Sequence, residues 1–108
     1  MRYITPHSSS RVIRSFADRG TEDVFNGVDS RAARRSCPNT LWAIARRKLD
    51  QLDATVSLEA LRVPPGNQLE ALKGDRRGQL SIRINGQFRV CFTWSAEGPN
   101  DVEIVDYH

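Results

Sequence analysis

Two stretches in the second half of the chain alternate between apolar and polar residues. Apolar side chains occupy every second position from Leu80 to Ile84 and again from Phe88 to Trp94, and Asn85-Gly86 stands between the two runs. Such alternation is typical of a strand with one buried face, and an Asn-Gly pair between two alternating runs favours a β-hairpin. The pattern therefore predicts two antiparallel strands joined by a tight turn.

The register of this hairpin follows from the need to keep both apolar sets on one face. A two-residue loop would place the apolar face of each strand against the polar face of the other, whereas the three-residue loop Asn85-Gly86-Gln87 brings the apolar faces together. The predicted pairs are Ile84 with Phe88, Ile82 with Val90, Leu80 with Phe92, Ser81 with Cys91, and Arg83 with Arg89.

The pairing of Arg83 with Arg89 sets two guanidinium groups opposite each other on the polar face. Like charges in that arrangement repel, at a cost on the order of a few tenths of a kcal/mol for an exposed pair. An anion bound between them makes the arrangement favourable, because each guanidinium group then attracts the anion. A phosphate is the anion that best matches two planar guanidinium groups. In the alternative interpretation, both arginines point into water and have no function.

The first half of the chain has weaker signals. Residues 12–16 are predicted as a short first strand, and Asp18 is predicted to cap a helix that runs to about Phe25 and ends at Asn26-Gly27. Residues 28–39 contain three arginines and a Cys-Pro pair, and are predicted as a loop or a frayed turn.

The clearest helix is predicted from Thr40 to Ala54, because its apolar residues recur on one face at helical spacing. A helical turn near Leu58–Leu61 follows and ends at Pro64-Pro65-Gly66, and further strands are predicted at 67–72 and 102–108. The order of elements predicts an α+β domain. In it, an N-terminal strand and two to three helices pack on one face of a small sheet that is mainly antiparallel.

The length of 108 residues allows one domain, expected at residues 12–108, after a polar and flexible tail at residues 1–11. No run approaches the ~20 apolar residues of a membrane span. The two cysteines, Cys37 and Cys91, form neither a disulfide framework nor a metal-ligand spacing. A cytoplasmic protein with free thiols is therefore expected.

The formal net charge of +3 conceals an asymmetry along the chain. Residues 31–89 contain twelve Lys or Arg and five Asp or Glu, whereas residues 90–108 contain four Asp or Glu and no Lys or Arg. The middle of the chain is thus suited to meet a polyanion or an acidic protein surface.

Four short strings, taken in order, resemble the HigB toxins of the RelE/ParE superfamily. They are Leu72-Lys73-Gly74-Asp75-Arg76, Ser81-Ile82-Arg83-Ile84-Asn85, Phe88-Arg89-Val90-Cys91-Phe92 and the terminal Asp106-Tyr107-His108. The resemblance implies a RelE-like fold and a toxin of a type II toxin-antitoxin pair that cuts messenger RNA in the ribosomal A site, with no cofactor. It also implies a HigA-type antitoxin with a helix-turn-helix domain, whose complex with the toxin binds operator DNA.

Metal-free cleavage of RNA requires a base for the 2′-hydroxyl proton, cations for the charged phosphorane and an acid for the departing 5′-oxygen. Glu70 is the candidate base, and His108 is the candidate acid because the terminal carboxylate favours its protonated ring. Lys73, Arg83 and Arg89 are the candidate cations. Residues expected to bind RNA are Arg46, Arg47, Lys48, Arg76, Arg77, Asn85 and Tyr107. Replacing Arg89 by alanine is expected to abolish toxicity and to leave the fold intact.

Each of these residues also has a purely structural interpretation. A glutamate at a position like that of Glu70 is more often a surface strand residue paired with a cation such as Lys73 or Arg89, and a basic run such as residues 46–48 is usually a solvated helix face. Two positions depart from the family pattern, since some HigB members have a histidine at the position of Glu70 and an arginine at that of Asn85. Arg83 is the expected substitute for the missing arginine.

Two other functions remain open. A ParE-like inhibitor of DNA gyrase shares the superfamily fold, performs no chemistry, and would be indifferent to loss of Glu70 and His108. An attenuated toxin would act mainly as the partner of its antitoxin in autoregulation of the operon, and would not arrest growth when expressed alone.

Overall fold

The structure is a computed structural model that describes residues 12–107. The expectations for the tail at residues 1–11 and for His108 lie outside the described residues. The chain forms three α-helices and four strands. The helices are α1 (Arg19–Asn26), α2 (Arg31–Ser36) and α3 (Trp42–Ala54), and the strands are β1 (Glu70–Ala71), β2 (Leu80–Arg83), β3 (Phe88–Ser95) and β4 (Gly98–Asp106). Short 3-10 turns lie at Asn39–Leu41, Leu58–Arg62, Pro65–Asn67 and Gly74–Arg76.

Helix α1 begins and ends at the residues that the sequence indicates. The Asp18 carboxylate accepts a hydrogen bond from the backbone N–H of Thr21 at 2.7 Å, which satisfies a donor that the first turn leaves without a partner. Gly27 ends the helix with φ of 76°, a left-handed conformation that glycine adopts without a steric penalty. The predicted cap and boundaries of α1 are confirmed.

Helix α2 contradicts the prediction of a loop at residues 28–39. Ser30 caps it by accepting a hydrogen bond from the N–H of Ala33 at 3.0 Å, and the Ser30 hydroxyl itself donates to Asp23 of α1 at 2.6 Å. Ala33 is fully buried. A helix of six residues is too short to show a periodic apolar pattern, so a local cap and a packing partner decide its formation.

The predicted long helix and the turn near Leu58 are confirmed. Helix α3 follows the 3-10 turn Asn39–Leu41 and buries Ala45, Leu49 and Leu52. These residues lie on one face of the helix, as the spacing predicts.

The sheet is antiparallel and has the order β1-β2-β3-β4. The pairs Leu80–Phe92, Ser81–Cys91, Ile82–Val90 and Arg83–Arg89 confirm the predicted register of the hairpin. The turn is held by Asn85, whose side-chain oxygen accepts hydrogen bonds from the N–H groups of Gln87 and Phe88 at 2.9 and 2.7 Å.

Three predicted strands differ in extent from those observed. The first strand is an extended segment with a single parallel bridge, between Phe16 and Val102. The strand at 67–72 shrinks to β1, because a 3-10 turn at Pro65–Asn67 precedes it. The last strand begins at Gly98, where it forms a second hairpin with β3, although Gly-Pro is typical of a turn.

The hydrophobic core lies between the helices and one face of the sheet, which confirms the α+β arrangement. The helices contribute Val24, Ala33, Ala45, Leu49 and Leu52, and the sheet contributes Ile82, Val90, Phe92, Val102 and Ile104. The opposite face of the sheet, on which Ser81, Arg83 and Arg89 lie, is termed the outer face below.

Replacing Gly20 by alanine is expected to destabilise the fold. Alanine would improve the helix propensity of α1 by about 1 kcal/mol, but the added Cβ would collide with the backbone oxygen of Ala32 and lie 3.1 Å from Cβ of Ser36. Overpacking against backbone costs about 1–3 kcal/mol, so the steric term wins. Urea unfolding should show a lower free energy of unfolding.

The matched control is Gly66→Ala, because no atom lies within 4 Å of a Cβ added there. Its free energy of unfolding should stay within about 0.5 kcal/mol of the unsubstituted chain. A stabilised G20A protein would show that α1 and α2 do not approach as closely as described.

Candidate active site

The outer face of the sheet collects polar and charged side chains. The register places Glu70 opposite Ser81 on β1 and β2, and Arg83 opposite Arg89 on β2 and β3. Leu72 and Cys91 are buried yet do not belong to the helix-side core. A second, smaller layer of packing therefore exists on this face, beneath the segment that leads from the 3-10 turn at Pro65–Asn67 to β2.

Arg89 is the central side chain of this layer and is only 7% exposed. Its Nε donates to the Ser81 hydroxyl at 2.6 Å, and its Nη2 donates to the backbone oxygen of Gln68 at 2.6 Å. The Glu70 carboxylate lies 3.5 Å from the same Nη2. Nη1 makes no hydrogen bond with any described residue, and no buried polar side-chain atom there lacks a partner. Two of the three guanidinium nitrogens are thus fixed by described residues.

The backbone at Gln68 is shaped to meet this guanidinium. Gln68 has φ of 45°, a conformation that residues other than glycine adopt infrequently. Asn67, directly before it, is fully buried. The unusual conformation turns the Gln68 carbonyl toward Arg89, and strain of this kind persists only where its surroundings hold it in place.

Tyr107 lies on the other side of Arg89. Its ring centroid is 5.8 Å from the Arg89 guanidinium carbon, within the range of a cation–π contact, and its N–H donates to Gln87 at 2.6 Å. The ring is partly exposed and borders an open cavity of about 490 Å³, whose other lining residues are Arg76, Val105 and Asp106. Arg76 is fixed there by Gln79 at 2.9 Å and Glu103 at 3.4 Å.

Lys48 approaches the same region from α3. Its Nζ donates to the side-chain oxygen of Asn67 at 2.6 Å, and the Asn67 amide donates to Gln51 at 2.8 Å and to the Leu61 oxygen at 3.1 Å. Burial lowers the pKa of Lys48, and the positive charges of Arg47 and Arg83 lower it further. Arg83 is therefore close enough to Lys48 to act on its charge.

A family model described as the RelE-like toxin of the type II toxin-antitoxin system HigB matches residues 14–108. The chain belongs to the HigB-like toxin family. Its α+β arrangement of helices against a four-stranded antiparallel sheet agrees with a RelE-like fold. Membership in a type II toxin-antitoxin system implies a protein antitoxin as partner.

Two relatives are similar over most of the HigB-like domain. Toxin HigB-1 of Vibrio cholerae serotype O1 is 39% identical over 79 residues, which cover 73% of this chain and 80% of that protein. An uncharacterized protein of Haemophilus influenzae is 34% identical over 65 residues, which cover 60% of this chain and 64% of that protein.

The HigB-like fold brings Glu70, Arg83, Arg89 and Tyr107 together on one face, whereas other predicted site residues lie apart. Lys73 and Arg77 are exposed at the two ends of the 3-10 turn Gly74–Arg76, and neither forms an ion pair within the part of the chain that the structure describes. Asn85 uses its side-chain oxygen to hold the hairpin turn. The predicted catalytic role of Lys73 and the predicted RNA-binding roles of Arg77 and Asn85 stay predictions.

The basic run Arg46-Arg47-Lys48 does not form one patch. The Arg46 guanidinium lies against the C-terminal end of α1, 3.6 Å from a Cβ built at Gly27, whereas Lys48 points to Asn67. The network of Lys48, Asn67 and Gln51 was not predicted from the sequence, because its members are 16 and 19 residues apart along the chain. A polar asparagine directly after Pro64-Pro65-Gly66 was its only signal.

Among residues 12–107, no group of three His, Cys, Asp or Glu could hold a metal ion, and no helix could cross a membrane. Cys91 is fully buried. Burial raises the pKa of its thiol, although the charges of Arg76 and Arg89 act in the opposite direction. A buried thiol is inert as a nucleophile.

Contrary to the expectation from the sequence, Arg89→Ala should destabilise the HigB-like fold. The substitution leaves the buried Ser81 hydroxyl without its donor, which costs about 1–3 kcal/mol, and also removes the hydrogen bond to the Gln68 carbonyl. We expect the free energy of unfolding to fall by about 2 kcal/mol or more, measured by urea or thermal unfolding.

Arg83→Ala is the matched control for that measurement. Arg83 makes no hydrogen bond or ion pair with any described residue and stands opposite another cation, so its removal should change stability by less than about 0.5 kcal/mol. Equal losses of stability in the two variants would contradict the difference in burial described above.

Proposed function

We infer that this HigB-like toxin is a metal-independent endoribonuclease that cuts messenger RNA on the ribosome. The observation that carries the proposal is the contact of a carboxylate, a buried guanidinium and an aromatic ring at one point of the outer face. Glu70 lies 3.5 Å from Arg89, and Arg89 lies 5.8 Å from the Tyr107 ring. These are the groups that proton removal, phosphorane stabilisation and base stacking require.

In the proposed reaction, Glu70 is the general base and His108 is the general acid. Glu70 takes the proton of a ribose 2′-hydroxyl, and the O2′ oxygen attacks the neighbouring phosphorus. A bond from O2′ to phosphorus forms as the bond from phosphorus to the O5′ of the next nucleotide breaks. His108 gives a proton to the departing O5′ oxygen. The products are a 2′,3′-cyclic phosphate and a 5′-hydroxyl.

Arg89 stabilises the charge that develops on the phosphorane. Its Nε and Nη2 are held by Ser81 and Gln68, so the direction of Nη1 is set before RNA arrives. A donor that is oriented in advance needs no reorganisation during the reaction, which is the main source of electrostatic catalysis. Arg83 supplies a second positive charge from the neighbouring strand.

Tyr107 and the cavity beside it receive a base of the messenger RNA. Aromatic side chains bind unstacked RNA bases by stacking, which tolerates several sequences. Arg76, fixed by Gln79 and Glu103, borders the same cavity and contacts the base edge or its phosphate. The ribosome presents the messenger RNA as a single strand. Because translating ribosomes are in the cytoplasm, the toxin acts there.

The toxin is neutralised by a HigA-type antitoxin with a helix-turn-helix domain. That domain, not the toxin, brings the complex to operator DNA. Family membership supports an antitoxin partner, and its type follows from the HigB resemblance.

Glu70→Gln should reduce cleavage about 10²-fold or more, because the amide cannot accept the 2′-hydroxyl proton. The assay is a reconstituted translation reaction in which purified toxin acts on a defined messenger RNA, with the 5′ ends of the fragments mapped. Deletion of His108 should have an effect of similar size. Toxin without ribosomes should leave the same RNA intact.

Glu59→Gln is the matched control, because Glu59 is an exposed carboxylate whose one ion pair within residues 12–107 is with the exposed Arg62. It should cleave at the unsubstituted rate. Full growth arrest by a toxin that lacks both Glu70 and His108 would refute the nuclease proposal, and DNA breaks linked to gyrase would then indicate the ParE-like function. Absence of growth arrest from the unsubstituted chain would indicate the attenuated toxin.

A further inference from the structure

Lys48 is held at one edge of the outer face by a buried polar network. Its Nζ donates to Asn67, which is fully buried, and Asn67 is in turn held by Gln51 and by the Leu61 carbonyl. One of the three donors of the ammonium group is thus used, and no ion pair involves Lys48 within residues 12–107. A lysine on a solvated helix face would need no such network.

Arg83 lies on β2, which packs against the 3-10 turn Pro65–Asn67 that holds this lysine, and neither cation forms an ion pair within residues 12–107. Its side chain is partly buried and makes no hydrogen bond or ion pair with the described residues. The pKa of Lys48 is lowered mainly by burial, and the positive charges of Arg47 and Arg83 lower it further. Neighbouring cations with no acidic partner repel each other. A bound anion removes that repulsion and favours the charged form of the amine.

The segment Asn67-Gln68 connects this pair of cations to the candidate active site. The Asn67 side chain binds Lys48, and the carbonyl of the next residue binds the buried Arg89. Arg83 pairs with Arg89 across the ladder, and its strand β2 contacts the 3-10 turn that contains Asn67. Three cations from α3, β2 and β3 therefore follow one another around this segment.

We propose that Lys48 and Arg83 form a subsite for a phosphate of the RNA strand that flanks the phosphate being cleaved. The inference rests on the proposed function, because continuity with Arg89 is what selects a polynucleotide over a separate anion. Successive phosphates of a single strand meet successive cations, so a subsite beside the reacting phosphate fixes the strand along the face. Lys48 is then a positioning residue, which acts on binding more than on the chemical step.

The test measures binding of a 2′-O-methyl RNA tetranucleotide by fluorescence anisotropy, since this probe lacks the nucleophilic hydroxyl and cannot be cut. Lys48→Met and Arg83→Gln should each weaken binding about tenfold at low salt, the effect of losing one charged hydrogen bond. The slope of log K against log salt should fall by about 0.7 in each variant, as expected for one phosphate contact on a single strand. Lys48→Arg should restore most of the slope.

Arg62→Gln is the control for charge alone, because Arg62 is exposed and paired with Glu59. It should keep the affinity and the slope. Arg83→Gln should fold normally, because the Arg83 side chain makes no hydrogen bond with the described residues. A weaker affinity in this variant would therefore not be due to misfolding. Thermal unfolding of each variant verifies that the fold is retained.

A second probe locates the phosphate. We use tetranucleotides in which one phosphate is replaced by an uncharged methylphosphonate. Replacement at one position should weaken binding to the unsubstituted toxin. The same replacement should not weaken binding to the Lys48→Met variant any further, because that variant has already lost the contact. Unchanged affinity and slope in Lys48→Met and Arg83→Gln, or no binding by the unsubstituted toxin, would overturn the subsite. If the toxin cleaves on ribosomes but binding does not depend on Lys48, the proposed function stands and the subsite is wrong. If binding depends on Lys48 but the toxin does not cleave, the subsite stands and the proposed function is wrong.

Discussion

A permanently charged guanidinium lies almost fully buried in the outer face of the sheet, and the geometry of the site depends on how it is paired. Moving a charge out of water is costly unless hydrogen bonds and an opposite charge replace the solvent. Ser81, the Gln68 carbonyl and Glu70 make that replacement for Arg89. Each partner comes from a different part of the chain, so satisfying one charge fixes the relative positions of β1, β2, β3 and the segment before β1.

This constraint explains why β1 is short and the backbone before it is unusual. A longer β1 would continue the ladder along β2, and its carbonyl groups would be used by the strand pairing. The 3-10 turn at Pro65–Asn67 and the positive φ of Gln68 direct one carbonyl to Arg89 instead. In this segment the Gln68 carbonyl therefore accepts a hydrogen bond from the buried Arg89 and does not take part in strand pairing.

Features determined by local patterns could be predicted from the sequence. The hairpin register depends on the parity of apolar positions, and α1 depends on Asp18 and Gly27 at its ends. The alternation also identified Arg83 and Arg89 as neighbours on one face. It could not distinguish them, because period-2 patterning assigns a face and does not reveal what covers that face.

Features determined by distant contacts could not be predicted. Burial of Arg89 requires the Gln68 carbonyl, 21 residues away, and the Lys48 network requires Asn67, 19 residues away. Helix α2 had a local signal in Ser30, but its six residues needed the contact with Asp23 on α1. Whether His108 reaches the same face stays a prediction, since it lies outside the described residues.

The departure from the family pattern at Asn85 has a structural consequence that bears on the site. An arginine has donors only, so it could not accept the two backbone N–H groups that the Asn85 oxygen accepts in the hairpin turn. This chain therefore has a fixed turn at a position where the resemblance to HigB toxins implies an arginine in some members of the family. The turn follows β2, which carries Arg83 opposite Arg89. In the proposed site, positive charge therefore comes from Arg83 and Arg89 in the sheet and from Lys48 on α3, and not from the turn.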